Sequence, residues 1–112
     1  MSDSSKQHVD RREYPRTKVR VPTELHLPNE EEALMREQTS DLSLGGCYVK
    51  TMAAIPVGTK LGVSLWLGEE KLTISAMVVT CHPQDGNGIQ FLSMPPRDRD
   101  RVRRFLELKQ AG

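Results

Sequence analysis

The chain has 112 residues, with 16 Lys or Arg against 15 Asp or Glu and a formal net charge of +1. That length argues for one domain with one modest core. With near-neutral charge, the whole-molecule field says little about partners. Aromatic residues make up 4% of the sequence, so the core must be aliphatic and base-stacking platforms are few. Cys47 and Cys81 lie in apolar, strand-like text and read as small buried hydrophobes, with a disulfide between them left open. Neither they nor the scattered His8, His26 and His82 have metal-ligand spacing. No apolar stretch approaches a membrane span, and the polar start MSDSSKQHVD lacks the apolar middle of a signal peptide. The expectation is a cytoplasmic protein without membrane insertion.

Residues 1–10 are polar and charged, which predicts a disordered tail ahead of a single domain over 11–110. A basic arm follows over 11–18, with Arg11, Arg12, Arg16 and Lys18, and Pro15 opposes regular structure in it. Val19, Val21, Thr23, Leu25 and Leu27 then alternate with polar residues, the period of a strand. Pro22 within it suggests an edge or a bulge. Pro28 to Ala33, with Glu30, Glu31 and Glu32, reads as a polar loop. Leu34 to Ser43 reads as a second strand, stopped by Gly45-Gly46, and Cys47 to Lys50 as a short third.

Residues 51–59 form a connection ending in a turn at Val57-Gly58. Leu61, Val63, Leu65 and Leu67 alternate, as do Leu72, Ile74, Ala76 and Val78 after a tight turn at Gly68 to Glu70; these two runs predict a hairpin. His82 to Gly88 reads as a loop, and Ile89 to Leu92 as a final strand. Pro95-Pro96 then opens a helix over 96–110, with Val102, Phe105 and Leu106 at helical spacing and Asp98 and Asp100 suited to its N-terminal dipole. Six short antiparallel strands and one helix predict an all-β barrel, at least partly closed, over residues 19–93.

Two short motifs could carry chemistry. Arg12-Glu13-Tyr14-Pro15-Arg16 places two guanidinium groups on a non-helical arm, preceded by Arg11. Their planar forks match phosphate and the O6/N7 edge of guanine. A solvated basic tail is the commoner meaning of such a pattern. In Asp41-Leu42-Ser43-Leu44-Gly45-Gly46, a strand would turn Leu42 and Leu44 to the core and Asp41 and Ser43 outward, side by side. A carboxylate accepts two hydrogens from the N1/N2 edge of guanine, and a serine hydroxyl donates to a ring nitrogen or phosphate. The glycines admit close approach of a ligand to the backbone. The alternative is an ordinary turn in which Asp and Ser bond their own backbone.

Taken together, the RRxxxR arm, a gap of about 25 residues, the DxSxxG segment, the strand Gly88-Ile89-Gln90-Phe91 and the Pro-initiated basic helix resemble the PilZ domain family over residues 11–108. The resemblance implies a six-stranded antiparallel β-barrel with a C-terminal helix, and a non-catalytic receptor for the bacterial second messenger cyclic di-GMP. By position, Arg12 and Arg16 would hold phosphates and guanine, with Arg11 a further contact. Asp41 and Ser43 would hold a guanine, and Gly46 would shape the strand end, with Gly45 beside it in the ligand-binding set. Some members carry a large aromatic near the end of the fifth strand; here that region reads Val79-Thr80-Cys81-His82, leaving His82 to stack or donate. The implied mechanism is an arm that folds over the ligand, changes the surface and signals to an unidentified downstream effector protein.

No Ser/His/Asp or Cys/His set supports an enzyme. Cys81 and His82 are adjacent and would point to opposite faces of a strand. A basic β-barrel that binds nucleic acid is disfavoured by the few aromatics and by Asp98, Asp100 and Glu107 among the helix arginines. A PilZ-like adaptor without nucleotide binding is the remaining alternative. No cofactor or metal is called for.

Overall fold

In the computed structural model, which describes residues 14–28, 35–51 and 54–111, the alternating segments close into one antiparallel barrel. Its strands are β1 (Pro22–His26), β2 (Met35–Leu42), β3 (Gly46–Val49), β4 (Lys60–Leu67), β5 (Glu70–His82) and β6 (Gly86–Ser93). Helix α1 (Pro96–Ala111) follows. Around the barrel the order is β1-β2-β3-β6-β5-β4, and β4 pairs back with β1. The six-stranded barrel with a C-terminal helix is the architecture expected from the sequence.

The core follows the alternation. Leu61, Val63, Leu65 and Leu67 of β4 face inward with Leu72, Ile74, Ala76 and Val78 of β5, joined by Leu25, Leu42, Val49 and Ile89. The β4–β5 hairpin pairs in register from Lys60↔Met77 to Leu67↔Glu70. Gly68 in its turn has φ +69, a left-handed conformation that glycine adopts without steric cost. Val102 and Leu106 of α1 are buried in the same cluster, so the helix is anchored to the barrel by its apolar stripe.

Several boundaries differ from expectation, each for a packing reason. A closed barrel has no edge for Pro22; the residue opens β1 instead, where a missing donor is tolerated. The loop expected over 82–88 is mostly hairpin: β5 runs to His82, and β6 starts at Gly86. Glycine permits this. A Cβ on Gly86 would stand 2.5 Å from Val49 O, and one on Gly88 2.3 Å from Thr80 Oγ1, so a side chain at either position would block the strand approach. Between them Asn87 is fully buried. Its Nδ2 donates to Ile55 O at 2.8 Å and Thr80 O at 3.2 Å, while its Oδ1 accepts from Thr51 Oγ1 at 3.1 Å. This side chain staples the 54–59 connection to the barrel.

Cys47 is buried, as expected, whereas Cys81 is only half-buried; both thiols are free. Among the described residues no helix is long and apolar enough to cross a membrane, and no group of three His, Cys, Asp or Glu is placed to hold a metal ion. The tail over 1–10, Arg11 and Arg12, and the Glu30 to Glu32 run lie outside the described residues.

Candidate functional site

The site is built where β2 ends. Thr39 pairs with Val49 and Asp41 with Tyr48, so Ser40 is the extra residue of a β-bulge. The bulge lets Thr39 and Leu42, three residues apart, both face inward, and it turns Ser40 and Asp41 toward the outside. Strict alternation would have buried Ser40.

The arm lies alongside this strand end. Thr17 N donates to Leu42 O and Leu42 N to Thr17 O, both at 2.9 Å. Further along, Thr39 Oγ1 donates to Val19 O at 2.6 Å and accepts from Val21 N at 3.0 Å. This pairing sets Arg16 beside Asp41, with Nη1 3.6 Å from Oδ2. That ion pair is partly exposed, so it contributes little to stability. Asp41 Oδ1 is buried and has no hydrogen-bond partner among the described residues. A carboxylate oxygen with an idle acceptor is costly to bury, and turning it out toward an incoming N–H breaks no hydrogen bond among the described residues.

Ser43 departs from the sequence expectation. It is not on the strand and does not stand outward beside Asp41; it is buried in the turn between β2 and β3. Its Oγ accepts from Gly45 N at 3.0 Å and Gly46 N at 3.2 Å, the local turn bonding that competes with strand geometry at such residues. Its own hydroxyl reaches Gly46 O only at 3.3 Å, beyond the usual range of an O–H···O bond. The donor hydrogen is therefore weakly held.

Gly46 is sterically required. A Cβ there would lie 2.1 Å from Ile89 O, against the backbone of β6. Gly45 has another neighbour: its Cβ would meet Tyr14 Cδ2 at 3.1 Å. Tyr14, inside the arginine motif, lies against this turn and also accepts a hydrogen bond from Arg99 Nη2 of α1, whose guanidinium stands 5.0 Å from its ring centre. Leu44, Arg103 and Leu106 close the same junction. One tyrosine therefore joins the arm, the DxSxxG turn and the helix.

His82 stands at the end of β5, away from that junction and beside Tyr48 of β3, with ring centres 6.1 Å apart and planes tilted by 49°. Tyr48 Oη donates to Asp85 Oδ2. Burial, followed by that carboxylate bond, pushes the Tyr48 phenol up to about 12. Burial also pushes the Cys47 thiol up to about 12, with the Asp41 charge adding to it. A groove of about 600 Å³ opens elsewhere, lined by Arg20, Arg36, Lys50 and Trp66, but Glu24 and Glu37 share it. Arg36 already pairs with Glu24 at 2.9 Å and holds that carboxyl below its ordinary value.

The described structure thus brings Arg16, Asp41, Ser43, Gly45 and Gly46 together, sets His82 on a neighbouring part of the barrel face, and does not include Arg11 and Arg12. Sequence reasoning overlooked Tyr14, Arg99 and Tyr48. The signal was present for Tyr48: it is one of two tyrosines, and it holds the outward phase between inward Cys47 and Val49.

Comparison with protein families matches residues 10–108 to the PilZ domain. No curated protein sequence matches the chain. Among solved structures, the Bacillus subtilis inhibitor of motility MotI/DgrA aligns at a TM-score of 0.76 and 18% identity, covering 91% of this chain and 52% of that one. This chain therefore spans about half the length of the Bacillus protein. The PilZ domain of YcgR from Escherichia coli, solved with c-di-GMP, aligns at 0.69 and 18% identity, covering 90% of this chain and 95% of that one. The PilZ domain of CeSA from a cellulose-synthesizing bacterium aligns at 0.67 and 20% identity, with 86% and 98% covered. At such identities these likenesses concern the fold.

Proposed function

Because the chain belongs to the PilZ domain family, we propose that it is a non-catalytic receptor for cyclic di-GMP that signals by a ligand-induced change of surface. The observation that carries the reading is the arrangement at the end of β2. Arg16 of the RxxxR arm is held beside Asp41 of the DxSxxG segment by the Thr17–Leu42 bridge, and Asp41 Oδ1 has no hydrogen-bond partner among the described residues. A guanine presenting N1–H and N2–H satisfies that oxygen and its neighbour together. Arg16 is then free to exchange its 3.6 Å contact with Asp41 for a phosphate or a base edge. Ser43 contributes by rotating its weakly held hydroxyl toward the ligand. Arg12 and Arg11 supply further charge from the arm, and His82 borders the same face. The c-di-GMP complex of the YcgR domain supports the choice of ligand.

The output follows from Tyr14. It lies two residues from each of Arg12 and Arg16, within the arm, yet it is bonded to Arg99 of the helix. A ligand that draws the arm toward Asp41 pulls on that contact and alters the surface formed by arm, turn and helix. An effector protein reads this surface. The setting is the bacterial cytoplasm, and no chemistry is performed on the ligand.

Calorimetric titration with cyclic di-GMP, with GTP as control, tests the reading. Wild type is expected to bind saturably, and Arg12→Ala and Asp41→Ala to lose about 1–3 kcal/mol each, because each leaves a ligand group unpaired. A folded wild type that ignores cyclic di-GMP returns the protein to the adaptor class. Amide exchange over residues 11–18 tests the change of surface. It should slow with ligand, and least at Thr17, whose N–H is already bonded.

A further inference from the structure

We infer that Tyr48 is a further ligand-binding residue of this site, its ring on the outer face of β3 being the surface on which a guanine base stacks. The inference rests on the cyclic di-GMP reading and adds a residue that neither motif contains. Asp41 pairs with Tyr48 across β2 and β3, and Tyr48 with Gly88 across β3 and β6. These three positions therefore form one row over the barrel, with neighbouring Cα atoms about 5 Å apart. Cys47 and Val49 are buried, which leaves Tyr48 the outward phase. A base whose N1/N2 edge meets Asp41 lies next to the Tyr48 position of that row, and Gly88 raises no side chain beyond it.

The ring is fixed before any ligand arrives. A Cβ on Gly86 would stand 2.7 Å from Tyr48 Cε2, so the ring rests directly on that glycine. Its hydroxyl donates to Asp85, and His82 flanks it. A side chain already held in one rotamer loses little entropy when a base stacks on it. The raised phenol stays neutral across the physiological range, so it adds no charge against phosphates.

The other aromatics are already engaged. Lys71 stands over Trp66 at 4.9 Å, Arg99 over Tyr14 at 5.0 Å and Lys109 over Phe105 at 5.3 Å. Phe91 belongs to the core. Of the five aromatic residues in the sequence, Tyr48 remains the one beside Asp41.

The test compares wild type, Tyr48→Ala and Tyr48→Phe by calorimetry with cyclic di-GMP, with thermal melts to check folding. In parallel, proton NMR of the wild-type complex looks for cross-peaks between guanine H8 and the Tyr48 ring. With only two tyrosines in the chain, Tyr48→Phe assigns that ring. Tyr48→Ala should bind about 5- to 150-fold more weakly, the range set by loss of a base–aromatic stack, and Tyr48→Phe should recover most of that loss. Wild-type binding that Tyr48→Ala matches within about twofold overturns the inference and leaves the receptor reading standing. So does a saturated wild-type complex without guanine-to-Tyr48 cross-peaks, whatever the fold of the alanine variant. Absence of wild-type binding overturns both together.

Discussion

Replacing Gly46 with alanine puts a methyl group where β6 already stands. The new carbon would lie 2.1 Å from Ile89 O, 3.1 Å from Ile89 C and 3.2 Å from Gln90 Cα. All three are backbone atoms, so no side chain can swing aside. Ordinary contact begins near 3.4 Å, so β3 must retreat from β6 by about 1.3 Å. The bonds on either side of Gly46 are short, Ser43 N to Gly46 O at 2.8 Å and Phe91 N to Gly45 O at 2.9 Å. A retreat of that size strains or breaks both. Two such bonds strained or left unmade, at about 1–2 kcal/mol each, give a loss of about 2–4 kcal/mol, comparable with the upper range for overpacking. For a domain of this size that is a fall in Tm of about 10–25 °C, a large part of its total stability. Gly45→Ala is the matched control. Its methyl group would be tight only against Tyr14 Cδ2 at 3.1 Å, an aromatic edge that can tilt, with Tyr14 Cε2 and Ser43 Oγ at ordinary contact distance, and the expected loss is under about 1 kcal/mol. Circular dichroism during thermal and urea unfolding measures both variants. A Gly46→Ala protein that melts within about 3 °C of wild type, or that is more stable than Gly45→Ala, would refute the reasoning.

Asn87→Ala removes the bonds to Ile55 O and Thr80 O from a fully buried position; a loss of about 2–5 kcal/mol is expected in urea unfolding. Thiol titration of the native protein at pH 8 should modify Cys81 quickly and Cys47 only as the chain unfolds, since Cys47 is buried and its thiol is pushed up to about 12. The raised Tyr48 phenol gives an alkaline prediction with a definite sign. Its stabilising contribution is complete below the unfolded value near 10 and is lost as pH rises toward the folded value of about 12. Tyr48→Phe should therefore flatten the fall in stability between pH 10 and 12, measured by urea midpoints against pH.

The parts of the fold legible in the sequence are those where one face is core and the other is solvent. β4 and β5 alternate for four apolar positions each, and the hairpin formed where that pattern placed it. The helix was legible because Pro96, Asp98 and the Val102–Leu106 spacing all point to the same start and buried face. What escaped the sequence depends on neighbours distant in the chain. The bulge at Ser40 has no composition of its own; it exists because Thr39 is held inward by Val19 and Val21 while Leu42 is fixed in the core. Ser43 took the turn bonding that any Asp-x-Ser-x-Gly text admits, and strand alternation alone could not choose between the two. Gly86-Asn87-Gly88 has the composition of a loop, yet it pairs as a strand because β3 and Thr80 approach too closely for any other residues. Of the candidate site, Arg16, Asp41, Gly45 and Gly46 were readable as motifs. Tyr14 and Arg99 were not, because their contact joins positions 85 residues apart.

The closed ring of strands has a consequence for recognition. An open sheet can receive a partner by adding one more strand, with main-chain bonds supplying affinity almost regardless of sequence. Here β1 returns to β4, so each barrel strand has a hydrogen-bonded neighbour on both sides, and among the described residues only short lengths of edge, such as residues 35–38 of β2 on the side of β3, are left unpaired. A partner that docks on the barrel therefore meets side chains and their arrangement, with no full-length edge strand to serve as a backbone template. Such recognition can be redirected by a few surface substitutions that leave every barrel hydrogen bond in place, so that one scaffold can be fitted to different listeners while the message stays the same.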